Sequence, residues 1–172
     1  MHNEKLISLL DLTRLVENDS EANITALCEQ AQTPMGNVAA VCVYPQFVPL
    51  ALNQLKDTSI AVATVCNFPS GDESLENTLR DVHSSVESGA SEIDVVMPYH
   101  AFLEKKFSFT RNYLGAIRQA CSTKRLKVIL ETGALNDATL ISEAANLAIG
   151  AGADFIKTST GKIETGASLH AV

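Results

Sequence analysis

The stretch GADFIKTSTGK, residues 152–162, decides the reading of the fold, because its first six residues echo GASEID, residues 89–94. In each copy a helical pattern stops at a glycine, small residues follow, and an apolar run carries a charge five residues beyond the glycine. That charge is Asp94 in the first copy and Lys157 in the second. Two strands that begin alike place these side chains at one height. The run Asp154-Phe155-Ile156-Lys157 is too apolar for a surface strand, so Lys157 is expected to face an interior. There desolvation disfavours the ammonium and draws its pKa from about 10.4 toward neutrality, leaving a nucleophilic amine. The plainer reading is a strand-end lysine reaching to solvent along its aliphatic stem.

Working outward, AAVCVYP (39–45), IAVATVCNFP (60–69), EIDVVMP (92–98), LKVILETG (126–133) and DFIKTST (154–160) are nearly continuous apolar segments with β-branched residues. Strands buried on both faces read this way. A weaker candidate at Leu9–Thr13 completes six. Between them Leu75, Leu79, Val82 and Val86 recur at helical spacing, as do Leu140, Ala144, Leu147 and Ala148, and Ser20–Ala31 reads as a further helix. Strands alternating with helices imply an α/β fold with a parallel sheet. In a (β/α)8 barrel alternate strands fill one interior layer. Asp94 and Lys157, on the fourth and sixth strands, are then expected to face each other across the mouth; the alternative for Asp94 is a structural charge satisfied by backbone amides.

Composition narrows the function classes. The 172 residues are 46% hydrophobic and 19% charged, enough for one core-forming domain, read as residues 1–172. A net charge of -7 argues against nucleic acid or an anionic membrane as partner. No secretory signal is read in Met1–Leu10, so a cytoplasmic protein is expected. Cys28, Cys42, Cys66 and Cys121 are far apart with no histidine cluster nearby, which points to reduced thiols and neither zinc nor a disulfide framework. His2 and His170 are terminal, His83 lies in a helical pattern and His100 follows a strand.

The ordered blocks LDLTRL (10–15), GNVAAVCVYP (36–45), TVCNFPSG (64–71), EIDVVMPY (92–99), KVILETG (127–133) and GADFIKTSTGK resemble the class I deoxyribose-phosphate aldolase family. The resemblance implies a TIM (β/α)8 barrel that cleaves 2-deoxyribose 5-phosphate to acetaldehyde and glyceraldehyde 3-phosphate, without cofactor or metal. It implies Lys157 as the Schiff-base lysine and Asp94 as the acid that moves protons. Asp11, Thr13 and Cys42 match residues lining the family's substrate pocket, and Gly161 and Lys162 match part of its phosphate site. Thr158, Ser159 and Thr160 could add donors to a phosphate, although such a loop is more often only a turn.

The chain departs from the family in length. A barrel of this kind takes roughly 250 residues, whereas the blocks here stop after about six βα units, at Val172. Strands seven and eight are missing. With them, by comparison with the family, go a second active-site lysine, glycine-rich phosphate turns and a C-terminal tyrosine. The expectation is slight or no retro-aldol activity, and a homo-oligomer that covers the open strand edges. The final residues 165–172 are expected to fray. Two other readings stand beside the first: another Schiff-base aldolase of the transaldolase or keto-acid type, and a catalytically silent, oligomerising fragment.

Overall fold

The computed structural model describes residues 2–169 and 171–172; His170 lies outside the described residues. Six strands form one sheet in chain order: β1 (Asp11–Thr13), β2 (Ala40–Val43), β3 (Ala61–Cys66), β4 (Glu92–Val96), β5 (Arg125–Ile129) and β6 (Phe155–Lys157). β1 with β2, β2 with β3, and β5 with β6 all pair in parallel. Every strand read from the sequence is present, and all but the first are shorter at the C-terminal end. The reason is local: β3 gives way to Asn67 and β5 is followed by Leu130 and then Glu131, and both Asn67 and Glu131 are left-handed, with φ of 54° and 56°. Neither backbone can continue a strand.

The chain forms two compact units, residues 1–65 with 85–92 and residues 66–84 with 93–172. In the first, helix α1 (Glu21–Gln30) starts at Ser20, whose hydroxyl accepts the Asn23 N–H and satisfies one of the unpaired amides of the first turn. It packs against α2 (Val48–Leu55), which is led in by a 3-10 turn at Pro45–Phe47. Ile24, Val41, Val43, Val48 and Ala51 are fully buried. Each of the larger side chains stabilises the unit by about 1.5–3 kcal/mol. A two-residue hairpin, Gln32–Thr33 with Gly36–Asn37, was not legible in the sequence. Helix α3 (Leu75–Glu87) follows the apolar spacing read for it.

In the second unit α4 (Phe107–Ala120) buries Tyr113, Leu114 and Ile117, and α5 (Ala138–Gly150) is capped by Asp137, whose carboxylate accepts the Leu140 N–H at 2.9 Å. The sequence reading missed α4, whose polar residues dilute its apolar stripe. Asn67 closes the loop after β3 by donating to the Val96 carbonyl and accepting the Glu73 N–H, both at 2.8 Å. Residues 161–169 and 171–172 form neither helix nor strand, so no sixth barrel helix is built there.

The echo between GASEID and GADFIK recurs in the backbone. Gly89 and Gly152 have φ of +97° and +96°, a region that suits glycine. Gly89 N–H reaches Val86 and Ala90 N–H reaches Ser85, both at 3.1 Å; Gly152 reaches Ile149 at 2.9 Å and Ala153 reaches Ala148 at 3.1 Å. Ser91 then donates to Val62 and Asp154 to Leu126, both at 2.8 Å, which seats β4 and β6 against the strand before each. Identical entries fix the phase of both strands.

Candidate active site

Alternation along β4 puts Asp94 on the same face as Glu92 and Val96, and every residue of that strand is buried. On β6, Lys157 pairs with Ile129 and Phe155 with Lys127. Since residues two apart share a face, Lys127 and Lys157 point to the same side of the sheet. Both converge on one carboxylate. Lys157 Nζ donates to Asp94 Oδ2 at 2.5 Å, and Lys127 Nζ lies 3.9 Å from Asp94 Oδ1. Asp94 is fully buried and Lys127 nearly so, while the Lys157 side chain is 28% exposed. One charge of the triad is therefore reachable from outside, and it is the amine.

Two like charges thus approach the same carboxylate, and each disfavours the charged form of the other. Lys127 was missed in the sequence reading, which singled out no cation on the fifth strand. The signal was present: like Lys157 it is a cation set beside apolar residues within a strand, two positions before the partner of Lys157.

Beyond Lys157 the chain turns back over β5. Leu130 N–H donates to the Lys157 carbonyl at 2.9 Å and Thr132 N–H to the Thr158 carbonyl at 2.8 Å. The carboxylate of Glu131, fully buried, accepts the Thr160 hydroxyl at Oε2 and the Thr160 N–H at 3.3–3.4 Å. Thr160 Oγ1 in turn accepts the Lys162 N–H at 3.1 Å. The donors of Thr160 are thus committed within the protein, which removes them from the set the sequence offered to a phosphate. Ser159 Oγ and Thr132 Oγ1 are buried and unpaired. Gly161, at φ +72° with open space at its Cβ position, makes the turn, and Lys162 is exposed beside it.

The remaining sequence-derived residues lie in the first unit. Asp11 and Thr13 are the ends of β1, half-buried and exposed, and Cys42 is a fully buried thiol paired in register with Thr13. Cys66 is buried at the end of β3. His83 is exposed on α3, and His100 lies 3.8 Å from Asp72 at the surface. Tyr99, buried after β4, has its hydroxyl pushed up by desolvation and then by the charges of Glu131 and Asp72, and so stays neutral. An apolar groove of about 370 Å³ runs between β6 and α5, lined in part by Ile141, Ala145 and Ile156. Lys157 and Thr158 also line this groove. Among the described residues no helix is long and apolar enough to cross a membrane, and no three of His, Cys, Asp and Glu gather as a metal site.

The family model for DeoC/LacD family aldolases matches residues 5–171. A candidate deoxyribose-phosphate aldolase from Coccidioides immitis is 34% identical, superposes with a TM-score of 0.92, and is matched over 98% of this chain and 65% of its own. A further solved aldolase is 32% identical with a TM-score of 0.88, over 96% of this chain and 72% of its own. The deoxyribose phosphate aldolase of Aeropyrum pernix, a tetramer, is 28% identical with a TM-score of 0.81, over 92% and 66%. The chain thus spans about two thirds of the length of these relatives, and its α/β fold matches part of their TIM barrel.

Proposed function

Because the chain belongs to the DeoC/LacD family of aldolases, we propose that its chemistry is the class I cleavage of 2-deoxyribose 5-phosphate at Lys157. The observation that carries this reading is the 2.5 Å contact between a reachable lysine and a fully buried aspartate, with a second buried lysine on the same carboxylate. In its neutral form Lys157 attacks the C1 aldehyde. The carbinolamine loses water to give an iminium, and Asp94 carries the protons between oxygen and nitrogen. The C2–C3 bond then breaks as the C3 hydroxyl loses its proton, and the electron pair enters the iminium to form an enamine. Glyceraldehyde 3-phosphate leaves, the enamine is protonated at C2, and hydrolysis releases acetaldehyde. No redox change is involved.

Lys127 contributes the second positive charge that favours the neutral form of Lys157. Asp11, Thr13 and Cys42 are proposed to line the substrate pocket, as the family match suggests, and Gly161 and Lys162 to meet the phosphate. A homo-oligomer is proposed on two grounds: the tetramer formed by the Aeropyrum pernix protein, and the exposure of Phe155, Ile156, Leu169 and Val172. A silent form of the same fold is the second reading. It is favoured by the 55% exposure of Phe155, which shares the face of Lys157 and admits water to it. Reduction with borohydride in the presence of 2-deoxyribose 5-phosphate, followed by peptide mass spectrometry, decides between them. An adduct confined to Lys157 supports the aldolase; a folded chain without adduct supports the silent form, and an adduct that survives Lys157→Ala overturns the assignment of the amine.

A further inference from the structure

We infer that Glu131 is a positioning residue that shapes the turn after Lys157 for a phosphorylated substrate, an inference that rests on the aldolase reading above. Three independent observations meet at this residue. Its carboxylate is fully buried, where a charge is costly without partners. Its backbone is left-handed, with φ 56° and ψ 61°, an uncommon state for a side chain of this size. Such strain persists only where surrounding structure fixes it, and it gathers at functional sites. Its hydrogen bonds, finally, go to Thr160, three residues beyond the amine.

The left-handed residue turns the chain out of β5, so that the Glu131 carboxylate reaches the loop leaving β6. There it takes both donors of Thr160, and the hydroxyl so oriented presents a lone pair to the Lys162 N–H. The relay runs from Glu131 through Thr160 to Lys162. Together with the Leu130–Lys157 and Thr132–Thr158 backbone bonds it fixes residues 158–162 relative to the amine. A carboxylate near an anion repels it, so Glu131 is no ligand for phosphate. Its hydrogen bonds to Thr160 orient the turn, and the exposed Lys162 beside it supplies the positive charge.

The prediction is a split between two aldehydes. Acetaldehyde needs only the amine, whereas 2-deoxyribose 5-phosphate also needs the turn. With Glu131→Gln or Thr160→Val, borohydride trapping of acetaldehyde on Lys157 should stay within about twofold, because neither group touches the amine or Asp94. The concentration of 2-deoxyribose 5-phosphate giving half-maximal trapping should rise about tenfold, as expected from one lost charge-assisted hydrogen bond. Thr160→Ser, which keeps the hydroxyl, should restore it. Equal loss with both aldehydes, or no change with either, overturns the inference.

If the unaltered chain traps neither aldehyde, the aldolase reading fails, and amide hydrogen exchange then decides the role of Glu131. Exchange at Thr160 and Lys162 at least tenfold faster in Glu131→Gln, with Ile156 unchanged, retains Glu131 as the organiser of the turn. Unchanged exchange at Thr160 removes that role.

Discussion

β4 and β6 enter the sheet by the same device and leave it in different states. Gly89 and Gly152 share a backbone angle to within a degree, and the three amides at each entry find equivalent acceptors. Yet β4 is buried along its whole length, whereas β6 exposes Phe155 and Ile156 and leaves Lys157 partly open. The same entry thus serves a fully buried acid and a partly exposed amine. Phase is set by the turn, and accessibility by what covers the strand afterwards.

The largest expected effect tests the exposed member. Lys157→Ala should abolish borohydride-stable labelling by 2-deoxyribose 5-phosphate, read by intact mass. Next is the buried member: Asp94→Asn keeps the shape of the side chain but removes the carboxylate, and the rate of adduct formation should fall by about 10²-fold or more. An unchanged rate would mean that the contact at 2.5 Å is only structural.

The entries themselves come next. A Cβ at Gly89 would lie 2.7 Å from Leu52 Cδ1, and one at Gly152 would lie 3.1 Å from the Arg118 side chain. Both substitutions also meet an unfavourable backbone angle, so each alanine variant should lose about 1–3 kcal/mol in urea denaturation, Gly89→Ala the more. Equal stability of Gly89→Ala and the parent chain would break the equivalence of the two turns.

The smallest effect belongs to Asp154, at the entry of β6. The Leu126 N–H holds its carboxyl below the usual range, and Arg118 adds to this. A depressed carboxyl stabilises the fold above its unfolded pKa of about 3.9 and loses that contribution as pH falls through the folded value. The difference in denaturation midpoint between the parent and Asp154→Asn should be full near neutral pH and close at acid pH. Because the side chain is 45% exposed, solvent screening keeps it small.

Much of this was legible in the sequence. The alternation of apolar runs and helical spacing identified the six strands, and the repeated glycine-to-charge interval located Asp94 and Lys157 on them. Lys127 escaped because a strand was judged as a run and its residues were not compared across the register. Glu131 escaped for a different reason: its role depends on a left-handed backbone that no local pattern of hydrophobicity reports. The commitment of Thr160 to Glu131 joins two loops 29 residues apart, and such pairings follow only from the pairing of their strands. Helix α4 was lost because its burial rests on a few positions among many polar ones.

All four thiols are buried, Cys28 and Cys42 in one compact unit and Cys66 and Cys121 in the other. Burial also pushes Cys28 and Cys121 up, away from the reactive thiolate. The native chain is consequently silent toward alkylating reagents, and each modification event timestamps an opening. Digestion after brief labelling would show which thiols became accessible first, so the cysteines are built-in reporters of opening within each unit.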